Sequence, residues 1–302
     1  DFKKNPTHVW IMKPPAKAQG KGIFLFTRIS QISEWRKDFK YRDGKDKDAQ
    51  QAQPEPYLAQ RYIDNPHLVG GKKYDLRIFV LVTSFSPLTV WLYRSGFARF
   101  CHHRFTMKDV DNTFIHVTNT AVQKTNPKYS AKFGCKWGLR DLKQHIASTL
   151  GAPAANKVFG DIQALIMRTL QAVQKVMMND RHVFELYGYD VQTCALPISW
   201  LVEVNSSPSL TAETPADYHL KFNLLEDMFN IIDMEKRLKG NEERVGGFDQ
   251  IWKNGPVGVS LHDATHGIKT YLGCDNEAAI PMANLKLPPR MQNHDGSERL
   301  LV

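Results

Sequence analysis

Apolar residues in the N-terminal third of the chain are gathered into short runs, rich in β-branched and aromatic side chains, which are typical of strands. Three such runs lie at 8–13, 23–26 and 57–63, and a loop with two glycines separates the first from the second. The two longest runs, 74–85 and 88–100, flank the turn-forming sequence SFSP. The pattern therefore predicts short strands followed by one strong β pair.

Elsewhere, apolar residues recur three and four positions apart, which predicts amphipathic helices. The helices predicted in this way span 28–39, 139–150, 156–178 and 217–238, and strands return at 183–191 and 199–205. The polar stretch 41–56 holds almost no core-forming residues and is predicted to be a mobile surface loop. After Gly240 the chain is rich in Gly, Pro and Asn, so we expect an extended tail with little core of its own.

The composition is that of an ordinary soluble globular protein, with 42% hydrophobic and 24% charged residues among 302. No apolar run approaches the roughly 20 residues of a membrane span, so no membrane partner is expected. The four cysteines are scattered without CxxC spacing, which argues against a zinc site or a disulfide framework and is typical of the cytosol. The first residues carry neither a signal-peptide pattern nor an initiating Met, so we expect a piece of a longer protein.

The net charge of +9 comes from 40 Lys and Arg against 31 Asp and Glu, which favours a polyanionic partner or simply a solvated basic surface. No zinc-finger, helix-turn-helix or RNA-recognition signature is present, and aromatic and basic residues are not interleaved along one face. Charge alone does not choose among nucleic acid, anionic lipid and an acidic protein tail, but without such signatures a nucleic-acid partner is not expected, and a basic RNA- or DNA-binding protein stays only as an alternative.

The sequence SWLVEVNSSPS combines an apolar strand with two oxygen-bearing side chains. Side chains alternate along a strand, so Glu203 and Asn205 project from the same face. Asp190 ends another predicted strand and could supply a third oxygen ligand. Such a set of oxygen ligands suits a hard cation such as Mg²⁺. The remaining coordination positions of the ion are usually filled by nucleotide phosphates. The alternative is a surface-facing Glu and a turn-forming Asn.

The sequence KPPAKAQGKG joins two predicted strands in an arrangement that suits a phosphate-covering loop. Lys13 closes the first strand, and Gly20 and Gly22 flank Lys21. Small residues let backbone N–H groups approach phosphate oxygens. The spacing is neither that of a Walker A loop nor that of the protein-kinase glycine loop. Glycine-rich turns are common, so this motif alone is a weak signal.

The sequence GGKKYDLRIFV places three charged side chains on one face of a strand. Lys73, Asp75 and Arg77 alternate there, and Arg99 on the next strand is expected nearby. Arginine is suited to a bidentate grip on phosphate or carboxylate. The alternative is a solvated ladder of cross-strand ion pairs.

Taken in order, these motifs resemble the tubulin tyrosine ligase-like family of ATP-grasp ligases. The motifs are WIMKPPAKAQGKGIFLF, LAQRYIDNPHLVGGKKYDLRIFVLVTS, YRSGFARF, HVTNTAVQK, CKW, FELYGYD and WLVEVNSSPSL. The resemblance covers roughly 8–238, and the later segment EERVGGFDQIWKNGPV is similar to an extension in the polyglutamylase branch.

The resemblance implies an α/β (α+β) ATP-grasp fold, with mixed or antiparallel sheets, flanking helices and the nucleotide between two lobes. It implies a central lobe at 1–63, a catalytic lobe at 64–238 and an extended tail at 239–302. The family's N-terminal lobe, which precedes the WIMKP strand, is expected to be missing.

The resemblance also implies roles for individual residues. ATP would be held by Lys13, Gln19, Gly20, Lys21, Gly22, Gln60, Arg61, Tyr62, Ile63, Lys73, Asp75, Thr118 and Asn119, with 60–63 as the adenine hinge. The γ-phosphate and the incoming amino acid would be contacted by Arg77, Arg99 and Lys136, the last pairing with the carboxylate of free glutamate. Mg²⁺ would be held by Asp190, Glu203 and Asn205.

The implied activity is ATP-dependent ligation of glutamate to side-chain carboxylates of tubulin tails. The implied partners are the acidic tails of tubulin or microtubules, free L-glutamate and accessory subunits of a complex. The implied location is the cytoplasm and cytoskeleton, including the axoneme or basal body of cilia. Two alternatives stay open: a glycylase of the same family, and a catalytically silent subunit that binds ATP or tubulin.

The stretch VQTCALPIS, at 191–199, does not resemble the acidic, hairpin-like stretch that family members carry at this point. The DNA string GTTCAGACGTGTGCTCTTCCGATCT, the end of a common sequencing-library adapter, encodes VQTCALPI in its first frame, and its trailing T can begin the codon for Ser199. Our hypothesis is that the adapter has replaced a native hairpin, the alternative being a genuine lineage-specific hairpin. A genomic read that encodes VQTCALPIS at this position would contradict the adapter origin.

Overall fold

The computed structural model describes residues 4–5, 7–15, 20–35, 56–127, 129, 135–180, 182–212, 214–257, 262–263 and 267–274. Gln19 and nearly all of the loop predicted at 41–56 lie outside these residues. Within the described part of the chain, none of the helices is both long enough and apolar enough to cross a membrane.

A small antiparallel sheet contains the first predicted strands. Its members are β1 (Trp10–Lys13), β2 (Phe24–Phe26) and β3 (Leu58–Arg61), in the order β2-β1-β3. A helix, α1, follows β2 and includes 29–35. The loop between β1 and β2 is thus held at both ends by paired strands, which fixes where Lys13 and the two glycines lie.

A sheet of eight strands forms the body of the molecule. Its members are β4 (Leu68–Val69), β5 (Lys72–Phe85), β6 (Leu88–Phe100), β7 (Lys136–Gly138), β8 (Glu185–Thr193), β9 (Ser199–Asn205), β10 (Arg244–Val245) and β11 (Phe248–Lys253). The order is β10-β11-β6-β5-β8-β9, and β4 and β7 pair with β5 and β6 respectively. All of these pairings are antiparallel. Two further strands, β12 (His262–Asp263) and β13 (Gly267–Ile268), pair only with each other among the described strands.

Five further helices complete the described fold. They are α2 (Thr113–His116), α3 (Thr120–Gln123), α4 (Leu139–Leu150), α5 (Ala152–Val173) and α6 (Pro215–Ile232). Helices α4 and α5 pack on one face of the large sheet, and α6 packs on the other. Helix α5 begins earlier than its apolar spacing predicts, because Pro153 suits the first turn of a helix. The predicted mixture of helices and antiparallel sheets is confirmed.

Strand β5 gives the two faces of the large sheet different characters. Tyr74, Leu76, Ile78 and alternate residues beyond them are buried in the core beneath α4 and α5. The opposite face begins with the charged positions 73, 75 and 77 and continues with Phe79 and Leu81 beneath α6. One face of a single strand therefore carries a charged end and an apolar end, and α6 covers only the apolar end.

The structure differs from the expectation of a tail with little core. Strands β10 and β11 extend the large sheet beyond β6, and Val245, Phe248 and Ile251 are buried. Tyr271 then lies between two guanidinium groups, 4.9 Å from that of Arg94 and 4.3 Å from that of Arg244. The apolar positions of the FDQIW run are too few to predict a strand alone, but pairing with the edge of β6 stabilises them.

The stretch 191–199 connects β8 to β9 and contains unfavourable local features. Gln192 and Ser199 each have a buried polar side-chain atom without a hydrogen-bond partner among the described residues. Pro197 has φ 21°, although its ring favours φ near −65°. It lies in the turn rather than within a paired strand, and Leu196 and Ile198 beside it are exposed.

Candidate functional site

Two arginines and two aspartates form a buried network on the charged face of β5. Arg77 donates to Asp190 at 2.6 Å from Nε and 3.1 Å from Nη2. Arg99 donates to Asp75 at 2.8 Å and 2.5 Å and, through Nη2, to Oδ2 of Asp190 at 2.7 Å. The register explains the contacts, because Asp75 lies opposite Arg99 and Arg77 lies opposite Asp190. The network unites four of the predicted site residues.

Burial distinguishes this network from a solvated ladder of ion pairs. Asp75, Arg77, Arg99 and Asp190 are all less than 9% exposed. Burial by itself raises the pKa of Asp190, but the Arg99 and Arg77 guanidiniums outweigh it and hold that pKa below its usual range. Asp190 is therefore an ionised carboxylate in the interior, where it needs both of its arginine partners.

Glu203 lies directly opposite Asp190 on the neighbouring strand, and Asn205 projects to the same side. The Asn205 amide nitrogen donates to Oε1 of Glu203 at 3.3 Å and to the Gly188 carbonyl at 3.1 Å. Partial burial and the adjacent Asp190 carboxylate raise the pKa of Glu203. Two carboxylates of the predicted metal set thus lie side by side, that of Asp190 paired with Arg77 and Arg99 and that of Glu203 with the Asn205 amide.

The three predicted side chains can supply only part of the coordination sphere of a Mg²⁺ ion. No group of three or more His, Cys, Asp or Glu that could hold a metal occurs in the described part of the chain. Asp190 and Glu203 provide two carboxylates, and the amide of Asn205 is the third predicted oxygen donor. Such a sphere requires further oxygen ligands from phosphate groups and water, which is how Mg²⁺ is commonly held beside nucleotides.

Lys13 links the small sheet to the charged face of the large one. Burial lowers the pKa of its ammonium group, and the nearby Glu203 carboxylate opposes that shift. Lys13 is also close enough to Lys73 to contribute to lowering its pKa. The two sheets therefore meet where the glycine loop begins.

The glycine loop needs residues without a side chain. Gly20 and Gly22 have φ of 72° and 77°, in the left-handed region that favours glycine. A Cβ added at Gly20 would lie 2.8 Å from Cγ2 of Val122 in α3. Lys21, between the glycines, is exposed. Gly20 thus lies against α3, and Lys21 beside it is an accessible cation.

Thr118 and Asn119 stand at the start of α3, beside this loop. Thr118 is buried, and Oδ1 of Asn119 accepts from the backbone N–H of Ala121 at 2.9 Å. Asn119 is thus the N-cap of α3. Its local role is structural, and contact with a nucleotide stays a prediction.

The predicted hinge is tied to Lys73. Nζ of Lys73 donates to the Tyr62 hydroxyl at 3.0 Å and to the His116 carbonyl at 2.7 Å. The Tyr62 hydroxyl lies 3.0 Å from Nδ1 of His116, whose Nε2 lies 2.9 Å from the Asp109 carbonyl. Burial lowers the pKa of Lys73 to about 8. In this structure the Lys73 ammonium group is bound by Tyr62 of the hinge and by the His116 carbonyl, and its contact with ATP stays a prediction.

The other hinge residues differ in exposure. Gln60 and Arg61 are exposed at the end of β3, and Ile63 is half-buried in the segment that leads to the large sheet. His116 was not among the residues predicted from sequence. It lies two positions before the predicted Thr118, so the same motif contained a signal for it.

Lys136 lies next to the charged network. It is opposite Arg99 in the β6–β7 pairing, and its Nζ donates to Oδ2 of Asp217 at 3.1 Å. Lys221, one helical turn after Asp217, donates to the same oxygen at 3.2 Å. Sequence reasoning did not single out Asp217 or Lys221, although their spacing of four is that of an ion pair on a helix.

Comparison with known proteins identifies the family. The family model described as "Tubulin-tyrosine ligase family" matches residues 1–239. The protein named "Probable tubulin polyglutamylase TTLL9" from Bos taurus is 47% identical over 308 residues, covering 92% of this chain and 66% of the relative. "Probable alpha-tubulin polyglutamylase Ttll1" from Tetrahymena thermophila is 44% identical over 236 residues, covering 77% of this chain and 56% of the relative.

A more distant relative carries the other activity considered above. "Tubulin glycylase 3C" from Tetrahymena thermophila is 29% identical over 294 residues, covering 92% of this chain and 26% of the relative. The chain thus spans 66% of the bovine relative's length and a smaller share of the two others. The family model covers most of the chain, so the resemblance predicted from the motifs is confirmed. The chain belongs to the tubulin-tyrosine ligase family.

Proposed function

We propose that this chain is an ATP-dependent ligase that joins glutamate to side-chain carboxylates of acidic tubulin tails. The observation that carries the proposal is the buried network of Arg77, Arg99, Asp75 and Asp190, which meets Glu203 at the junction of the two sheets. The names of the two more similar relatives reported above support the same activity.

The reaction we propose has two steps. A side-chain carboxylate of the tubulin tail attacks the γ-phosphorus of ATP, which forms an acylphosphate and releases ADP. The amine of free glutamate then attacks the acyl carbon, phosphate leaves with the bonding electrons, and a proton is lost from nitrogen. The product is an isopeptide bond between the tail and the added glutamate.

In this proposal the chain's own residues position groups and balance charge. The loop at Gly20 and Gly22 covers the phosphates, and the backbone of 60–63 reads the edge of the adenine. Arg77 and Arg99 steady the γ-phosphate and the incoming amino acid, and they stay oriented because aspartates fix their guanidinium planes. Fixed cationic groups of this kind stabilise developing negative charge without reorganising during the reaction.

The cofactor we propose is Mg²⁺, held by Asp190, Glu203 and Asn205. When bound, it neutralises phosphate charge as a Lewis acid. The fit rests on the facing carboxylates of Asp190 and Glu203 and on the Asn205 amide beside them. The Lys13 ammonium group is close enough to interact electrostatically with the Glu203 carboxylate.

Glutamate is a better donor than glycine for the proposed site. Lys136 lies opposite Arg99, so two cationic residues stand side by side where an amino acid would enter. Glutamate has a second carboxylate to pair with such a site, and glycine does not. A location on microtubules of the cytoskeleton, including those of cilia, follows from this choice of substrate. The partners that we propose for this chain also include accessory subunits of a complex.

The test compares donors on microtubules. The purified chain is incubated with microtubules, ATP and radiolabelled glutamate or radiolabelled glycine, with and without candidate partner subunits. The proposal predicts ATP-dependent labelling by glutamate, and none on microtubules whose acidic tails have been removed by proteolysis. Labelling by glycine alone would instead support the glycylase. Nucleotide binding without any labelling, even with the partner subunits, would support a silent subunit.

A further inference from the structure

We propose that Asp217 is a positioning residue that holds Lys136 in the pocket for the donor amino acid and so favours donors with a second carboxylate. This inference rests on the proposed function. It concerns a residue of α6 that none of the sequence motifs singled out.

A single carboxylate oxygen organises two ammonium groups. Oδ2 of Asp217 accepts from Lys136 at 3.1 Å and from Lys221 at 3.2 Å. The Asp217 and Lys221 side chains are 3% and 7% exposed, whereas that of Lys136 is 20% exposed. The cluster therefore opens to solvent through Lys136, and the other two members form its buried support.

The surroundings of the cluster limit where Lys136 can point. The Phe97 ring lies below both ammonium groups, at 4.7 Å from that of Lys136 and 6.0 Å from that of Lys221. Lys221 also donates to the Thr211 carbonyl, which anchors the loop after β9. Ring, helix and loop thus contact the cluster, and a ligand carboxylate would reach it through Lys136, its most exposed member.

The charges of the cluster keep Asp217 ionised beside Lys136. Burial favours protonation of Asp217, but the Lys136 and Lys221 ammonium groups outweigh it and lower the pKa of Asp217 below its usual value. Asp217 is therefore an ionised carboxylate that holds two ammonium groups at one place, and Lys136 is the more exposed of the two. The side-chain carboxylate of a glutamate donor would pair with the Lys136 ammonium group.

The position of the cluster relates it to the proposed chemistry. Lys136 lies opposite Arg99 across the β6–β7 pair, so it borders the network of Asp75, Arg99 and Asp190. A glutamate donor held by both Lys136 and Arg99 would place one of its two carboxylates at each of these side chains. Its amine could then approach the acylphosphate, which forms beside Arg99 in the proposed reaction.

Asp217 also stands at the start of α6, which offers a purely structural explanation. Its backbone N–H donates to Oγ1 of the N-cap residue Thr214 at 3.2 Å, and an acidic side chain in the first turn favours a helix. Thr214→Ala weakens the same helix end without altering any charge. This variant is therefore the matched control for Asp217→Asn.

The experiment measures KM for glutamate and for ATP, together with Tm, in the full chain with microtubules as acceptor. We expect Asp217→Asn to raise KM for glutamate by about tenfold, the scale of one charge-assisted hydrogen bond, with KM for ATP nearly unchanged. Thr214→Ala should lower Tm and leave KM for glutamate unchanged. Lys136→Met should raise KM for glutamate, and adding Asp217→Asn to it should raise KM no further, because Asp217 acts through Lys136.

Three results would overturn the inference in an active chain. These are a wild-type KM for glutamate in Asp217→Asn, the same rise in KM in Thr214→Ala, and additive effects in the double variant. Failure of the proposed function looks different. In that case the wild-type chain labels no microtubules with glutamate under any condition, and the role of Asp217 falls with it.

Discussion

Arg99 and Asp190 are joined across an intervening strand. Nη2 of Arg99, on β6, lies 2.7 Å from Oδ2 of Asp190, on β8, and β5 lies between these strands in the sheet. Asp75 and Arg77, both on β5, complete the bridge. Three strands are thus held in register by one buried network, at the point where the nucleotide and the donor would meet.

Removing Arg99 should therefore destabilise the fold. Arg99→Met leaves Asp75 with no partner in the network and Asp190 with Arg77 alone, and breaking a buried ion pair typically costs about 3–5 kcal/mol. Urea unfolding measures the change. The control is Lys157→Met, which removes an ion pair with Asp161 whose side chains are 69% and 43% exposed. The control should cost less than about 1 kcal/mol, and an equal loss in both variants would contradict the structural role of the network.

The glycine loop should be sensitive to a methyl group at one position. Gly20→Ala combines a φ of 72° with a Cβ only 2.8 Å from Val122, so the loop must move away from α3. We expect about tenfold weaker ATP binding, measured by calorimetry, because misplaced backbone N–H groups lose phosphate contacts. Gly70→Ala is the control, since Gly70 has φ 58° and, apart from its chain neighbours, no described residue has an atom within 4 Å of an added Cβ. Unchanged ATP affinity in Gly20→Ala would rule out this loop as the phosphate cover.

Asp227 should make stability fall as pH rises through about 6. Burial raises the pKa of Asp227 to about 6 from an ordinary 3.8, although hydrogen bonds from the Gly247 N–H and the Tyr93 hydroxyl oppose the shift. The folded state then binds a proton more tightly than the unfolded state. The contribution of Asp227 to the free energy of unfolding is fully present below the pKa that its carboxyl has in the unfolded state. It is lost as the pH rises through the pKa of the folded state.

Asp227→Asn tests this pH dependence, because an amide oxygen can accept the same hydrogen bonds without ionising. Urea unfolding at several pH values between 4 and 7 should show a less negative slope of stability against pH in the variant than in the wild type. Identical slopes in the two proteins would show that Asp227 titrates normally in the folded state.

Two buried glutamines should respond in opposite ways to the same substitution. Nε2 of Gln192, within the stretch 191–199, is buried and has no hydrogen-bond partner in the described part of the chain, so Gln192→Leu should raise the free energy of unfolding by about 1 kcal/mol. Gln123 is also buried, but its Oε1 accepts from the His102 N–H at 2.7 Å. Gln123→Leu should therefore lower stability by about 1–3 kcal/mol. Destabilisation by both substitutions would show that Gln192 is well accommodated in the fold.

Alternation along single strands was the most informative signal in the sequence. It predicted that Lys73, Asp75 and Arg77 share a face and that Glu203 and Asn205 do likewise, because side-chain direction depends only on neighbouring residues. For Arg99 the sequence predicted only that it would lie near this charged face, and not that it would bind Asp190. The geometry of that contact depends on the strand order β6-β5-β8, which is set by pairings between distant parts of the chain.

Other parts of the site and fold had weaker local signals. Asp217 lies on a helix whose sequence does not reveal which strand it packs against, so its contact with Lys136 could not be read from spacing. Strands β10 and β11 are short, and β11 pairs with β6, an edge formed much earlier in the chain: Arg94 and Asp249, which are in contact, lie 155 residues apart. The resemblance to a family supplied the hinge role of Tyr62, which no periodic pattern indicates.

The most direct test of the central claim is the incorporation of labelled glutamate into microtubules by the wild type and by Glu203→Gln, with ATP and Mg²⁺ present. The variant keeps the size of the side chain but removes the carboxylate opposite Asp190. The exposed Glu226 provides the control variant Glu226→Gln. We predict labelling by the wild type and by Glu226→Gln, and labelling reduced about a hundredfold or more in Glu203→Gln. Labelling by Glu203→Gln at the wild-type rate would contradict the proposed metal site and the mechanism built on it.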